Sequence, residues 1–165
     1  MTNNPALESA PKEQVEKLIE NHITQAVTCK AKALEYSEEA VRCGGTLKVH
    51  IKVDTGMSRL GYLVSGAHFE SGVEGICEAC RLPGLDAEGI FTHFAVSDEE
   101  DRESRAYTRE QFDLFTAVIE KAEEKLGRKF ALRHCANTGA VAYWPEMMLD
   151  MVATATGQGG WACAR

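Results

Sequence analysis

The order of strand-like and helix-like segments predicts an α/β protein built on a parallel sheet. Three observations carry that expectation. Leu47, Val49, Ile51 and Val53 alternate with Lys48, His50 and Lys52, a period of two that reads as a strand. Phe112, Phe115, Val118, Ile119, Ala122 and Leu126 recur at helical spacing, with charges on the opposite face and Gly127 at the end. Segments of the two kinds alternate down the chain, which favours parallel strands joined by right-handed crossovers.

In chain order, Ile19 to Val27 reads as a strand. Residues 30–42 read as a helix with Ala33, Leu34, Ala40 and Val41 apolar, closed by Gly44-Gly45. Leu47 to Asp54 is the alternating strand, and Asp54-Thr55-Gly56 after it is turn chemistry. Phe69 to Arg81 reads as a helix stopped by Pro83-Gly84, and Glu88 to Phe94 as the next strand. Val96 to Arg105 holds several carboxylates that could form a metal site, and it reads in preference as a charged, solvated loop. Thr108 opens the long helix, with Gln111 as a capping-box partner. Phe130 to Ala136 reads as a strand, Asn137 to Tyr143 as a short helix and Met147 to Val152 as a last strand.

The 165 residues suffice for one domain with a core, and no internal repeat is visible. The net charge of −7 and the lack of a basic block argue against nucleic acid as a partner. No apolar run approaches the ~20 residues of a membrane span, and Met1 to Glu13 lacks a secretory apolar core. Six scattered cysteines form no compact disulfide pattern. Cys77-Glu78-Ala79-Cys80 has redox or zinc spacing but no second ligand pair nearby, and it lies inside a helix. Structural thiols in a reducing cytoplasm are the expected reading, with no metal.

The strand at Leu47 to Asp54 is oily on one face and charged on the other, up to its C-terminal end. In parallel α/β sheets that end is where active sites are built. Arg59, just beyond the turn, offers a rigid fork of donors suited to an oxyanion. Lys52 points away from the oily face, and an ammonium buried there needs a partner or a shifted pKa. Asn137 and Thr138 begin a short helix after a strand, where backbone N–H groups and a hydroxyl suit a phosphate.

Lys52-Val53-Asp54-Thr55-Gly56-Met57-Ser58-Arg59-Leu60-Gly61 resembles the K-V-D-T-G-M-x-R-L-G signature of alanine racemases, which are pyridoxal-phosphate enzymes. Two further segments follow in that family's order: Phe91-Thr92-His93-Phe94-Ala95, and His134-Cys135-Ala136-Asn137-Thr138-Gly139-Ala140, similar to H-x-A-N-S-A. The likeness runs over roughly residues 12 to 152.

It implies part of a (β/α)8 barrel, incomplete at both ends, since a closed barrel takes about 250 residues. It implies interconversion of L- and D-alanine with pyridoxal 5'-phosphate as cofactor, supplying D-alanine for the cell wall, in a cytoplasmic homodimer. It implies catalytic roles for Arg59 and Lys52, the latter often carbamylated in the family. His93, Asn137, Thr138 and Arg59 would contact the cofactor, Met57 and Arg59 the substrate, and His134 would stand behind the arginine that faces the pyridine nitrogen.

Residues 153–165 do not resemble the family. Arg-Pro-Gly-Ile is expected after Val152, so alanine stands at position 153 where an arginine is expected. No segment matches the V-K-A-N-A-Y-G-H-G that carries the cofactor-holding lysine, and the first eleven residues are also unlike the family. The expectation is therefore a central fragment, inactive alone. The alternatives are a fragment of another fold-type-III protein such as a D-serine dehydratase, or a non-catalytic remnant that binds a phosphate or a partner chain.

Overall fold

The computed structural model describes residues 10–155 and 161–162. Its first helix, α1, is Val15–Glu20, and the first strand, β1, is only Gln25–Val27. The strand expected over 19–27 is thus corrected at its start. Val15 and Leu18, three apart, bury one side of a helical turn, and Ile19 packs against the core beside them. His22, with φ 54°, then turns the chain into the strand. A short apolar run does not by itself separate strand from helix.

Helix α2 (Lys30–Arg42) and strand β2 (Leu47–Asp54) keep their expected bounds. A two-residue strand β3 (Tyr62–Leu63) follows, then α3 (Phe69–Cys80) and β4 (Leu85–Phe91). His93 therefore lies two residues beyond its strand. Helix α4 spans Arg102–Leu126 and starts six residues before Thr108. Asp101 is its cap, its side chain accepting from the Glu103 and Ser104 amides at 3.0 Å each. The expected capping box at Thr108 and Gln111 is wrong: both side chains face inward and are buried. Strand β5 (Leu132–Ala136), helix α5 (Thr138–Tyr143) and strand β6 (Met151–Val152) complete the alternation; the strand expected over Met147 to Val152 keeps only its last two residues, and Met147 ends a 3-10 turn over Pro145–Met147. Thr154–Ala155 (β7) pairs antiparallel with Trp161–Ala162 (β8).

The sheet order is β1-β2-β4-β5-β6, every neighbour parallel, with β3 beside the end of β2. This is an arc of a (β/α) barrel, five strands wide along its main path, with the helices on one side. Leu47, Val49, Ile51 and Val53 join Val73, Ile76, Val118 and Ile119 in one core between sheet and helices. Register then fixes what faces the barrel interior. Ala26 pairs with His50, His50 with Gly89, Lys52 with Phe91, Phe91 with His134, and His134 with Met151. The charged face expected of β2 is therefore mostly buried as well: only Lys48 is exposed, while His50, Lys52 and Asp54 are not.

Two glycines make this packing possible. A Cβ on Gly89 would sit 2.4 Å from the His50 ring, so glycine leaves the room that ring fills. Gly61 has φ +130°, and a Cβ there would meet the Asp54 amide nitrogen at 2.7 Å. Gly61→Ala should therefore lower unfolding free energy by about 2–4 kcal/mol in urea titrations. Gly127 caps α4 at φ +65°, and a Cβ there would have nothing within 4 Å, so Gly127→Ala tests the backbone strain alone. It should cost only about 1 kcal/mol. Equal losses would show that the contact with β2 is unimportant.

Candidate active site

Strand β2 ends in a turn organised by Asp54. One carboxylate oxygen accepts from the Gly56 and Ser58 amides, at 3.0 Å each. Thr55 and Thr92, at the ends of neighbouring strands, are joined by their hydroxyls at 2.8 Å, and the Thr92 hydroxyl donates to the Val53 carbonyl at 3.0 Å. Met57 is half-buried in this turn and Arg59 is exposed beyond it.

Lys52, Arg59 and His93 converge on this rim. Lys52 is 6% exposed, and its ammonium lies 5.5 Å from the Phe91 ring centre. Burial, reinforced by the Arg59 charge, holds its pKa below the ordinary lysine value. The half-buried His93 imidazole is pushed down to about 4 by burial and by the Lys52 and Arg59 charges. Asp54, whose charge favours the Lys52 ammonium, gives one of its oxygens to the two amides. Among the described residues neither Lys52 nor Arg59 has a carboxylate within ion-pair distance. Two cations and a neutral imidazole around one rim form a basin for an anion.

Asn137 stands at the matching end of β5. Its side-chain oxygen accepts from the Ala140 amide at 2.9 Å and from the Ser97 hydroxyl at 2.7 Å. The expected charged loop is thus partly structural: Ser97 is buried, and Arg102 to Arg105 belong to α4. Thr138 is exposed at the first position of α5. No group of His, Cys, Asp or Glu able to hold a metal occurs among the described residues. Cys77 is buried and Cys80 half-buried, both free thiols at the end of α3, and burial pushes the Cys80 thiol up to about 12.

Deeper in the interior, His134 and His50 meet at 3.0 Å, His134 Nε2 to His50 Nδ1. The Phe91 ring stacks flat on His134 with centres 4.8 Å apart. The Glu88 carboxylate lies 3.8 Å from His50 Nε2, too far for a hydrogen bond. Its field favours a proton on that nitrogen, leaving Nδ1 to accept from His134. Glu88 would also favour imidazolium, but burial outweighs it and holds His50 near 4. His134 is depressed likewise, by burial and then by His50. His50 was not anticipated from the sequence. Its place two residues before Lys52 on the same strand face was the available signal.

A parallel β/α arc with a basic rim at its strand C-termini and neutral histidines beneath defines the class: a protein built on a (β/α) barrel. Residues 3–154 match the family model described as alanine racemase, N-terminal domain. An alanine racemase of Clostridium perfringens is 44% identical over 137 residues, covering 83% of this chain and 33% of that protein. One from Desulfovibrio desulfuricans is 46% identical over 136 residues, covering 82% and 34% respectively. The solved alanine racemase of Clostridium difficile 630 in complex with cycloserine superposes with a TM-score of 0.77 at 34% identity, over 88% of this chain and 38% of that one. The chain belongs to the alanine racemase family and spans about a third of the length of the curated relatives it matches.

The depressed histidines make stability depend on pH with a defined sign. Above about pH 6.5 the imidazoles are neutral in both folded and unfolded states. As pH falls below that value the unfolded chain takes up protons that the folded chain refuses. Stability present at neutral pH is lost progressively down to pH values near 4. Each fully buried histidine contributes a slope of up to about 1.4 kcal/mol per pH unit, and the half-buried His93 less. Urea midpoints at pH 7.5, 6.5, 5.5 and 4.5 measure it. His50 and His134 imidazole resonances should show no protonation at pH 5; protonation there would contradict the burial argument.

Proposed function

We propose that this chain is the cofactor-facing part of a pyridoxal-phosphate-dependent racemase that interconverts L- and D-alanine in a cytoplasmic homodimer and so supplies D-alanine for cell-wall synthesis. The single observation that carries the reading is the buried Lys52 beside Arg59, with no carboxylate in ion-pair contact with either. Burying an unpaired cation is costly, so the rim is built for an anion that these residues do not supply. An anionic cofactor and a substrate carboxylate fit that requirement, and motif order with family membership gives them a name.

When bound, pyridoxal phosphate supplies an electron sink that makes the α-proton of an amino acid removable. The chain's own residues would do the rest. Arg59 offers a planar fork to the cofactor's phenolic oxygen and to the substrate carboxylate. One anion that would answer the same demand is a carbamate on Lys52, formed when its neutral amine adds CO2 and releases a proton, and it would hold that guanidinium in place. His93, kept neutral, would lie against the cofactor ring without taking a proton. Asn137 and Thr138 would serve the phosphate, Met57 would border the substrate, and His134 would stand behind the ring-nitrogen side.

The cofactor-holding lysine has no counterpart in the 165 residues, and the half-buried position 153 after β6 is alanine. We therefore assign residues 1–152 to the barrel domain, treat 153–165 as outside it, and expect no racemisation from residues 1–165 alone. Ala153 favours one second reading, a non-catalytic chain that keeps only anion binding at the rim.

Two measurements test these readings. Residues 12–152 can replace the matching third of the Clostridium perfringens relative. That chimera should interconvert L- and D-alanine, and Arg59→Ala should lower kcat/KM by roughly 10²–10³-fold. Preference for serine or arginine over alanine would overturn the substrate. The 165-residue chain, incubated with L-alanine and pyridoxal phosphate, should form D-alanine no faster than the cofactor alone. Turnover above that control, abolished by Arg59→Ala, would overturn the assignment of the missing groups.

A further inference from the structure

We propose that Gln111 of α4 is a positioning residue that locks the turn carrying Arg59 to the segment carrying His93 through a one-way chain of hydrogen bonds. Gln111 is 1% exposed, a polar residue among the inward positions of α4 with Thr108 and Phe115. Its side-chain oxygen accepts from the Ala95 amide at 3.0 Å, which fixes the orientation of the carboxamide. Its Nε2 donates to the Thr55 hydroxyl at 3.2 Å.

The direction of the next bond follows from proton count. Thr92 has one hydroxyl proton and gives it to the Val53 carbonyl. At the 2.8 Å contact with Thr55 it can therefore only accept, so Thr55 donates. With its own proton committed, Thr55 can only accept from Gln111. The order is Gln111 to Thr55 to Thr92 to the Val53 carbonyl, each hydroxyl both accepting and donating once.

The carboxamide of Gln111 meets both demands at its end of the chain. An ionised Glu would accept from Ala95 but could not donate to Thr55, and Leu could do neither. Tyr107, one turn earlier on α4, donates to the Gly56 carbonyl at 2.8 Å. The helix thus grips Thr55 and Gly56, just before Arg59, and Ala95, just after His93. The burial of His93, and after it the nearby Lys52 and Arg59 charges, depend on these segments staying together.

The functional meaning rests on the reading of Arg59 and His93 as groups facing one cofactor, but the first test needs no cofactor. In the full chain, NMR should show the His93 imidazole titrating near 4, as burial and the two cations dictate, and one Gln111 side-chain N–H exchanging slowly. Gln111→Leu should raise the His93 pKa by a unit or more and speed Ala95 amide exchange at least about tenfold. Thr55→Val should do the same, whereas Thr55→Ser, which keeps the hydroxyl, should resemble the parent. A folded Gln111→Leu chain with His93 and Ala95 unchanged would overturn the proposal. Where that variant does not fold, identical behaviour of Thr55→Val and Thr55→Ser, or fast exchange of both Gln111 protons in the parent chain, would overturn it. In the chimera Gln111→Leu should lower kcat more than it raises KM. An inactive parent chimera with these NMR results intact would defeat the racemase reading and leave the clamp standing.

Discussion

Strand β2 is buried on both faces, and the rest of the structure answers to that constraint. Its outer row of Leu47, Val49, Ile51 and Val53 can be covered by helices because it is wholly apolar. Its inner row of His50, Lys52 and Asp54 cannot be, so every neighbour on that side is chosen to tolerate polarity without supplying bulk water. Gly89 yields its volume to His50, Phe91 presents a ring to both Lys52 and His134, and Asp54 is satisfied by amides of its own turn. The turn after β2 is tight for the same reason: the chain must double back to pair Tyr62 and Leu63 with Val53 and Asp54.

The inner row also sorts charge by depth. At the middle of the sheet the two histidines are neutral and bond to each other, which removes charge where desolvation is greatest. One layer further toward the strand C-termini the basic groups gather, and only there can they reach solvent or a ligand. Glu88 could have reversed this order by charging His50. Burial outweighs it, and Lys48, bound to Glu88 at 2.7 Å, opposes it further, while the Thr24 hydroxyl donates to the other Glu88 oxygen at 3.0 Å. The result is a neutral floor beneath a cationic rim, an arrangement that concentrates attraction for an anion at one place.

Much of this was legible in the sequence where local pattern and tertiary role agree. Residues 30–42 and Leu47 to Asp54 kept their bounds because amphipathic spacing and turn chemistry point the same way. Lys52, Arg59, His93 and Asn137 stand near the C-terminal ends of successive strands, as motif position at those ends had indicated. The misreadings share a cause. Ile19 looked like strand because a short apolar run carries no period of its own. Arg102 to Arg105 looked like loop because an exposed first turn is polar all round, and its helical character rests on the Asp101 cap and on continuation into a buried stripe. His50 was read as part of a charged face because one strand does not reveal that its second face is enclosed.

Thr108 and Gln111 show how such a misreading can hide a function. Their spacing satisfies a capping pattern, and the same spacing places both on the buried side of a helix that has already begun. Two polar residues inside an apolar stripe conflict with simple amphipathic packing, and that conflict was the signal. A buried Gln is tolerated only where its donor and acceptor are both used. Partners meeting that demand lie on the turn that Tyr107 also holds and on the segment just after His93. An apolar residue at 111 could fill the space, but it would not specify how the Thr55 turn and the Ala95 segment sit relative to each other. Hydrogen-bond direction does specify it: were Thr92 to donate to Thr55, the Val53 carbonyl would lose that donor, and were Gln111 to turn its oxygen to Thr55, the Ala95 amide would lose its acceptor. The polar exception on α4 is therefore best understood with the rim it holds, because Thr55 and Ala95 flank the segments that carry Arg59 and His93.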